Sequence, residues 1–318
     1  MSSRHLVDPA LEAFLAAPAM EITPETLPAV REGIKMIYAA TLGESDPAVT
    51  TSMRTIAGPA GSPDVTLHIY TPAGPAMARP VLYHIHGGGF ILGDVAMMAP
   101  MSQGRAKLFD CVVVSVDYRL CPETPYPGPV EDCYAGLKWI VDHAEELGVD
   151  PERVVVGGES AGGGLAAALC LLARERGGPA VALQFLIYPM LDHRTATDAD
   201  IYANRHAGEF AWTHAANRFG WSAMLGDLDP AGDIPGTCSP ARATTLAGLP
   251  PAFIAVGALD LFVDEDIDYA ARLGRDGVPV ELHVYPGAFH AFDLVAGAPV
   301  ALQFQEDCAR ALRKAFAP

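Results

Sequence analysis

A short glycine-flanked serine motif is the strongest sign of chemistry in this sequence. Residues 158–162 read Gly-Glu-Ser-Ala-Gly, with Ser160 at the centre. The apolar run 154–156 before the motif is typical of a buried strand, and a helical stretch begins near Ser160. A serine on such a strand-to-helix turn lies above the positive end of the helix dipole. A serine that only caps the helix is the alternative, but the context favours a nucleophile.

A second motif is suited to stabilise the negative charge that forms when a nucleophile attacks a carbonyl. Residues 86–89 read His-Gly-Gly-Gly and directly follow the predicted strand 81–85. Because glycines leave backbone N–H groups uncovered, such a loop can direct two donors at an oxyanion. A flexible turn is the alternative. The combination with Ser160 favours an oxyanion hole.

A serine nucleophile needs a base, and that base needs an orienting carboxylate. His290 follows the predicted strand 280–284, and Asp260 follows the predicted strand 252–256. Loops at the carboxyl ends of parallel strands meet at one edge of a sheet, so both side chains are expected near Ser160. The chain order Ser160, Asp260, His290 is the order found in α/β-hydrolases.

Asp264 is an alternative acid, because it lies only four residues after Asp260. It stands at the start of the predicted helix 263–274, where a carboxylate can cap free N–H groups. The sequence therefore favours a helix cap for Asp264 and the acid role for Asp260. His84 lies in a buried predicted strand and is interpreted as a core histidine.

The elements that must position these residues follow an alternating pattern. Apolar runs predict strands over 65–70, 81–85, 111–116, 154–156, 183–187, 252–256 and 280–284. Helices are predicted over 95–108, 129–147, 160–176, 263–274 and 301–315. Strands buried on both faces and separated by helices indicate an α/β fold with a mostly parallel sheet. The first 50 residues are predicted to be helical, and residues 193–228 to form a helical insertion.

Composition excludes several classes of function. The chain has 318 residues, with 21 Lys and Arg against 38 Asp and Glu, which gives a net charge of −17. Such a charge argues against nucleic-acid partners and against docking on anionic membranes. No apolar run approaches the roughly 18 residues of a membrane span, and no signal peptide is recognised, so a cytoplasmic location is expected. The six cysteines lack the spacing of a metal site and are expected to be free thiols.

Together the motifs resemble the hormone-sensitive-lipase-like family of α/β-hydrolases, the bacterial family IV esterases. The similarity extends from about residue 65 to the C-terminus and includes residues 86–89, 117–120, 122–123, 126–127, 158–163, 260, 264–265 and 290. The resemblance implies the α/β-hydrolase fold with a helical cap. By position, residues 1–50 and 193–228 would form the cap, and residues 51–192 and 229–318 the catalytic domain.

The resemblance also implies roles for individual residues. The triad would be Ser160, Asp260 and His290, and the oxyanion N–H groups would belong to Gly88, Gly89 and Ala161. Apart from the resemblance, some aromatic residues are expected to contact the substrate, with packing of the cap on the core as the alternative: Phe90, Phe210, Trp212, Phe219 and Trp221. The family usually has Asp or Thr where this chain has Glu159, and the longer side chain can alter the hydrogen bonds around the nucleophile.

The activity implied by this resemblance is that of a serine carboxylesterase that needs no cofactor or metal. A closed apolar pocket predicts small ester substrates, with acyl chains of about two to eight carbons. An amidase, a deacetylase or a lactonase with the same triad is the nearest alternative. A non-catalytic ligand-binding receptor of the same fold is another, although the presence of His290 argues against it. A homodimer formed through a sheet edge is also compatible with the resemblance.

Overall fold

One eight-stranded sheet organises the chain. The computed structural model describes residues 2–16, 21–41, 46–75, 78–202 and 204–317. Within them the strands are β1 (Val49–Ile56), β2 (Val65–Pro72), β3 (Arg79–Ile85), β4 (Val112–Asp117), β5 (Val149–Glu159), β6 (Leu183–Ile187), β7 (Ala252–Gly257) and β8 (Val280–Tyr285). Their order across the sheet is β1-β2-β4-β3-β5-β6-β7-β8. The first two strands pair antiparallel and β2 pairs antiparallel with β4, whereas all later pairings are parallel.

Helices cover both faces of this sheet. The described α-helices are α1 (Leu27–Thr41), α2 (Ala99–Phe109), α3 (Gly128–Asp142), α4 (Ala144–Leu147), α5 (Ala161–Glu175), α6 (His214–Leu225), α7 (Val263–Arg275) and α8 (Pro299–Ala315). In β3, Val81 and Tyr83 belong to one apolar cluster and Leu82 to a second on the opposite face. These two cores confirm the predicted α/β fold with a mostly parallel sheet and flanking helices.

Strand β1 is absent from the sequence-based prediction. Buried and exposed residues do not alternate along this strand, because only Val49 and Ile56 at its two ends are buried. The residues between them are mostly polar and solvent-exposed, as suits a strand at a sheet edge. It is held by antiparallel pairing along its whole length, from Val49 opposite Pro72 to Ile56 opposite Val65. Pairing of this kind leaves no apolar period for a sequence pattern to detect.

The prediction that residues 193–228 are helical is wrong for the first half of that range. Only α6 is α-helical between residues 193 and 228, and the described part of 193–213 consists of turns and loops. Hydrogen bonds between side chain and backbone account for these turns, because Asp200 accepts from the N–H groups of Ala196 and Tyr202. Such local bonds compete with helical ones. Residue 203, and residues 1, 17–20 and 42–45 of the predicted N-terminal cap, lie outside the described residues.

The N-terminal segment packs against the turns before α6 and against the loop that follows β8. Glu209 accepts hydrogen bonds from both the N–H and the hydroxyl of Ser3, each at 2.6 Å. The N–H of Asp8 donates to the carbonyl of Gly287 at 3.0 Å. The rings of Phe14 and Phe289 lie 5.6 Å apart. Residues from the start of the chain therefore brace the segment that carries His290.

The cysteines and the apolar character of the helices are also subjects of expectations from the sequence. All six cysteines are free, as expected, and five of them are buried. No helix in the ranges given above combines the length and the apolar character needed to cross a membrane.

Candidate active site

Ser160 lies on a sharp turn between β5 and α5. Its backbone has φ 57° and ψ −120°, a strained conformation for a residue with a side chain. The turn is crowded, because a Cβ atom added at Gly158 or Gly162 would lie 2.1 Å or 2.0 Å from the carbonyl oxygen of Ile85. Only glycine at both positions allows β3 to approach so closely. The Ser160 N–H donates a 2.9 Å hydrogen bond to the carbonyl of Ile187, the last residue of β6, and this bond holds the turn against that strand.

The three predicted triad residues meet in a hydrogen-bonded chain. His290 Nδ1 lies 2.8 Å from Asp260 Oδ2, and His290 Nε2 lies 3.0 Å from Ser160 Oγ. Because a carboxylate can only accept, Nδ1 carries the proton and Nε2 is free to accept from the hydroxyl. The second Asp260 oxygen accepts the Phe262 N–H at 3.0 Å. Asp260 is fully buried, whereas Ser160 and His290 keep 6% and 7% of their surface exposed. The arrangement can transfer a proton from Ser160 to His290.

The glycine loop after β3 is shaped by positive φ angles. Gly88 has φ 121° and Gly89 has φ 59°, and both positions lack room for a Cβ atom. At Gly88 that atom would be 2.2 Å from the Leu92 carbonyl oxygen. Among the described residues, the N–H groups of Gly88, Gly89 and Ala161 have no hydrogen-bond acceptor within the protein. These three donors remain available to a ligand oxygen.

His86 anchors this loop as a neutral side chain. Burial lowers the pKa of His86 to about 4. Its ring stacks on Tyr118 with 4.3 Å between the centroids, and its Nδ1 donates to the Gly87 carbonyl at 2.8 Å. The Tyr118 hydroxyl donates to the His86 carbonyl at 2.9 Å. Next to Tyr118, Arg119 binds Asp132 of α3 through both carboxylate oxygens.

Asp264 does not cap α7, so that prediction is wrong. The helix begins at Val263 and has no capping hydrogen bond from a side chain. Asp264 instead accepts a hydrogen bond from Asn204 at 2.7 Å, which ties the insertion to α7. The next residue, Glu265, is buried and accepts from the Leu191 N–H at 2.6 Å and from the Thr195 hydroxyl. Both side chains organise the insertion, and none of their described hydrogen bonds is to His290.

Glu159, immediately before the nucleophile, forms a part-buried ion pair with Arg105 and a hydrogen bond with His84. Its carboxylate lies 2.8 Å from His84 Nε2 and 3.0 Å from an Arg105 nitrogen. Burial alone would raise the pKa of Glu159, but the charges and hydrogen bonds of His84 and Arg105 lower it to about 2. The longer side chain therefore reaches two partners beneath the turn. His84, expected to be a core histidine, is buried and is one of them.

Aromatic rings surround the His290 imidazole. The centroid distances are 4.7 Å to Tyr188, 5.3 Å to Phe262 and 6.4 Å to Trp212. Of these three rings, the sequence predicts a site role only for Trp212. The available signal for the other two was position, because Tyr188 directly follows β6 and Phe262 lies two residues after Asp260.

The five aromatic residues predicted to contact substrate occupy different places. Trp212 covers Gly89, where an added Cβ atom would lie 2.1 Å from the indole. Phe90 and Trp221 pack on each other in the core with centroids 5.1 Å apart. Phe210 packs on Phe289, and Phe219 is half-buried against the core. Trp212 alone among these five has its ring near both His290 and the glycine loop, and substrate contact stays a prediction for all five.

Metal ligands do not cluster in the part of the chain that the structure describes: no group of three or more His, Cys, Asp or Glu side chains there is placed to hold an ion.

Comparison with known proteins relates this geometry to a family. Residues 82–294 match a family described as alpha/beta hydrolase fold. The chain is 39% identical to esterase LipI of Mycobacterium tuberculosis over 67% of its own length and 65% of LipI. It is 34% identical to an arylesterase of Saccharolobus solfataricus over 65% of this chain and 66% of that one. The matched segment thus spans slightly less than two thirds of these curated relatives.

Solved structures match over the full length. A bacterial heroin esterase superposes with a TM-score of 0.93 and 38% identity, covering all of both chains. Esterase LipW from Mycobacterium marinum gives a TM-score of 0.86 and 34% identity, over 99% of this chain and 98% of LipW. The family match, these likenesses and the motifs agree: the chain belongs to the α/β-hydrolases, in their hormone-sensitive-lipase-like esterase group.

Proposed function

We propose that this protein is a carboxylesterase that hydrolyses short- to medium-chain esters through an acyl-enzyme intermediate. The observation that carries the proposal is the continuous chain from Ser160 Oγ through His290 to Asp260, with contacts of 3.0 Å and 2.8 Å. Relatives at 34–39% identity that carry the names esterase and arylesterase support it. We assign Ser160 as nucleophile, His290 as base and Asp260 as the orienting acid.

In the first half of the reaction, Ser160 Oγ attacks the ester carbonyl carbon while its proton passes to His290 Nε2. The carbonyl oxygen becomes an oxyanion, and the unpaired N–H groups of Gly88, Gly89 and Ala161 are the donors we assign to it. Asp260 holds the imidazole tautomer and stabilises the imidazolium. The C–O bond to the alcohol then breaks, and the alcohol leaves with the proton from His290. The acyl group remains on Ser160.

In the second half, a water molecule replaces the alcohol. His290 accepts a proton from the water as its oxygen attacks the acyl carbon, and the same donors hold the second oxyanion. Collapse of this intermediate returns the proton to Ser160 and releases the carboxylic acid. The scheme uses the ester, one water molecule and groups of the protein.

Limited access supports small substrates. Ser160 and His290 are almost completely buried, and Trp212 covers the glycine loop beside them. A lipase that works at a lipid surface needs instead a broad apolar face around its site. We therefore propose soluble esters with acyl chains of about two to eight carbons, each buried CH₂ contributing up to ~0.8 kcal/mol. We also propose that residues 1–50 and 193–228 act as the cap over the catalytic domain.

Location and partners complete the proposal. A cytoplasmic location is supported by six free cysteines, because oxidising compartments favour disulfides. The partner is a small ester, and the net charge of −17 disfavours nucleic acid and anionic membranes. Whether a sheet edge joins two copies stays an expectation from the family.

The proposed function is tested by replacing the nucleophile. Ser160→Ala should lower turnover of p-nitrophenyl butyrate by at least about 10⁴-fold. The control is Ser102→Ala, which also removes a buried serine hydroxyl but one whose described partner is Ser115. An organophosphonate should label Ser160 in the wild-type protein. Labelling of another serine, or an active Ser160→Ala variant, would refute the assignment.

A further inference from the structure

Tyr188 touches the catalytic histidine from the end of β6. Its ring meets the His290 ring at a centroid distance of 4.7 Å and an interplanar angle of 62°. Only 4% of Tyr188 is exposed, and its N–H donates to the Ala255 carbonyl at 2.7 Å. Its φ of 34° lies in the left-handed region that side chains disfavour. Strain of this kind persists where surrounding contacts enforce it, often at functional sites.

The hydroxyl of Tyr188 reaches the loop that carries His290. It donates a 2.8 Å hydrogen bond to Asp293 Oδ1. Asp293 lies three residues after His290, in the short 3-10 helix Phe292–Leu294. Burial raises the pKa of the Asp293 carboxyl, and the hydrogen bond from Tyr188 opposes that effect. One side chain thus contacts the imidazole with its ring and binds the far end of the same loop with its hydroxyl.

His290 needs such a support. Asp260 holds Nδ1, and of the three aromatic residues around the ring Tyr188 is the one with a described hydrogen bond to the loop. The loop itself turns through Gly287 and Ala291, which have φ values of 70° and 61°. A misplacement of 1 Å at a reacting group can cost about 100-fold in rate. We propose that Tyr188 and Asp293 form a positioning pair that holds the His290 imidazole in line with Ser160. This inference rests on the proposed esterase function.

The hydroxyl can be removed while the ring is kept. Tyr188→Phe should lower kcat by about 10-fold with little change in KM, because only the alignment of the base in the transition state is lost. Asp293→Ala should have a similar effect. Asp293→Asn keeps an oxygen that accepts from Tyr188 and should retain most of the activity. The double variant Tyr188→Phe with Asp293→Ala should be no slower than either single variant, since both break one interaction.

A second tyrosine–aspartate pair in the fold supplies a matched control. The Tyr285 hydroxyl donates to Asp307 at 3.0 Å, in a buried contact between β8 and α8. Among the described aromatic contacts, the Tyr285 ring is paired with His283, Phe292 and Phe304 rather than with His290. Tyr285→Phe should lower the melting temperature and leave kcat unchanged. If Tyr188→Phe does the same, the pair is only structural and the proposal fails.

Labelling separates this inference from the proposed function. In Tyr188→Phe, an organophosphonate should still label Ser160, at a rate reduced in proportion to kcat, because the nucleophile remains but its base is misaligned. A wild-type protein that neither turns over esters nor reacts at Ser160 overturns the proposed function. Normal turnover in the wild type with unchanged labelling in Tyr188→Phe overturns the positioning role alone.

Discussion

Arg105 and Glu159 form an ion pair directly beneath the nucleophile, with 3.0 Å between a guanidinium nitrogen and Glu159 Oε1. Glu159 also lies 2.8 Å from His84, and its side chain is only 15% exposed. The pair joins α2 to the end of β5, one residue before Ser160. It therefore couples the shape of the strained turn to the ionisation of a carboxylate.

We expect this carboxylate to make stability depend on pH. The pKa of Glu159 falls from 4.5 to about 2 on folding, so its contribution is fully present above pH 4.5 and is lost as the pH falls towards 2. By linkage the contribution at neutral pH is on the order of 3 kcal/mol. Glu159→Gln should remove this part of the pH dependence in urea unfolding measured between pH 7 and pH 3. The control Glu123→Gln breaks an exposed ion pair with Arg31 and should cost less than about 1 kcal/mol.

The two neighbouring carboxylates should give opposite phenotypes. Asp260→Asn presents the wrong partner to His290 Nδ1 and should lower kcat by about 10⁴-fold. Asp264→Ala removes only the hydrogen bond to Asn204, so it should cost about 1 kcal/mol of stability and leave kcat near the wild-type value. Steady-state kinetics and thermal melts of the two variants measure this. Exchanged phenotypes would show that Asp264 is the acid.

The glycine loop should not tolerate even one methyl group. Gly89→Ala would place a Cβ atom 2.1 Å from the Trp212 indole, and the shift needed would displace an N–H that we assign to the oxyanion. Loss of one such donor lowers kcat by about 10²–10³-fold. Gly277→Ala is the control, because its φ of 78° is equally left-handed but no atom lies within 4 Å. It should cost about 1 kcal/mol of stability and no activity.

Trp212 should set the upper limit on substrate size. Its indole is held by a 3.2 Å hydrogen bond to Asn217 and lies beside both Gly89 and His290. In Trp212→Ala, the p-nitrophenyl ester with the highest kcat/KM should have an acyl chain longer than about two to eight carbons. Each added CH₂ that is buried should contribute up to ~0.8 kcal/mol to binding. The control is Trp139→Ala, because Trp139 lies in α3 and stacks on His143, the residue after that helix. This variant should leave the preference for acyl-chain length unchanged. An unchanged preference in Trp212→Ala would place the acyl chain elsewhere.

Local patterns were sufficient to predict the residues at the ends of strands. Ser160, Asp260 and His290 each follow an apolar run, and strand periodicity together with parallel topology brings such positions to one edge. The exposed edge strand β1 and the turns before α6 escaped prediction because long-range pairing and local side-chain bonds determine them. The position of Asp264 at the start of a helix predicts a cap, whereas its partner Asn204 lies 60 residues away in the chain. Contacts such as Tyr188 with Asp293 leave no periodic signal.

The bracing of the His290 loop by the N-terminal segment has a consequence for folding. The hydrogen bond between Asp8 and Gly287, and the contact between Phe14 and Phe289, join nearly opposite ends of the chain. Contacts with such a large sequence separation carry the greatest loop-closure entropy before they form. We therefore expect His290 to reach its position beside Ser160 only after these distant segments have met. Recovery of esterase activity during refolding should therefore lag behind recovery of the sheet, and catalysis becomes a reporter of the final tertiary contacts.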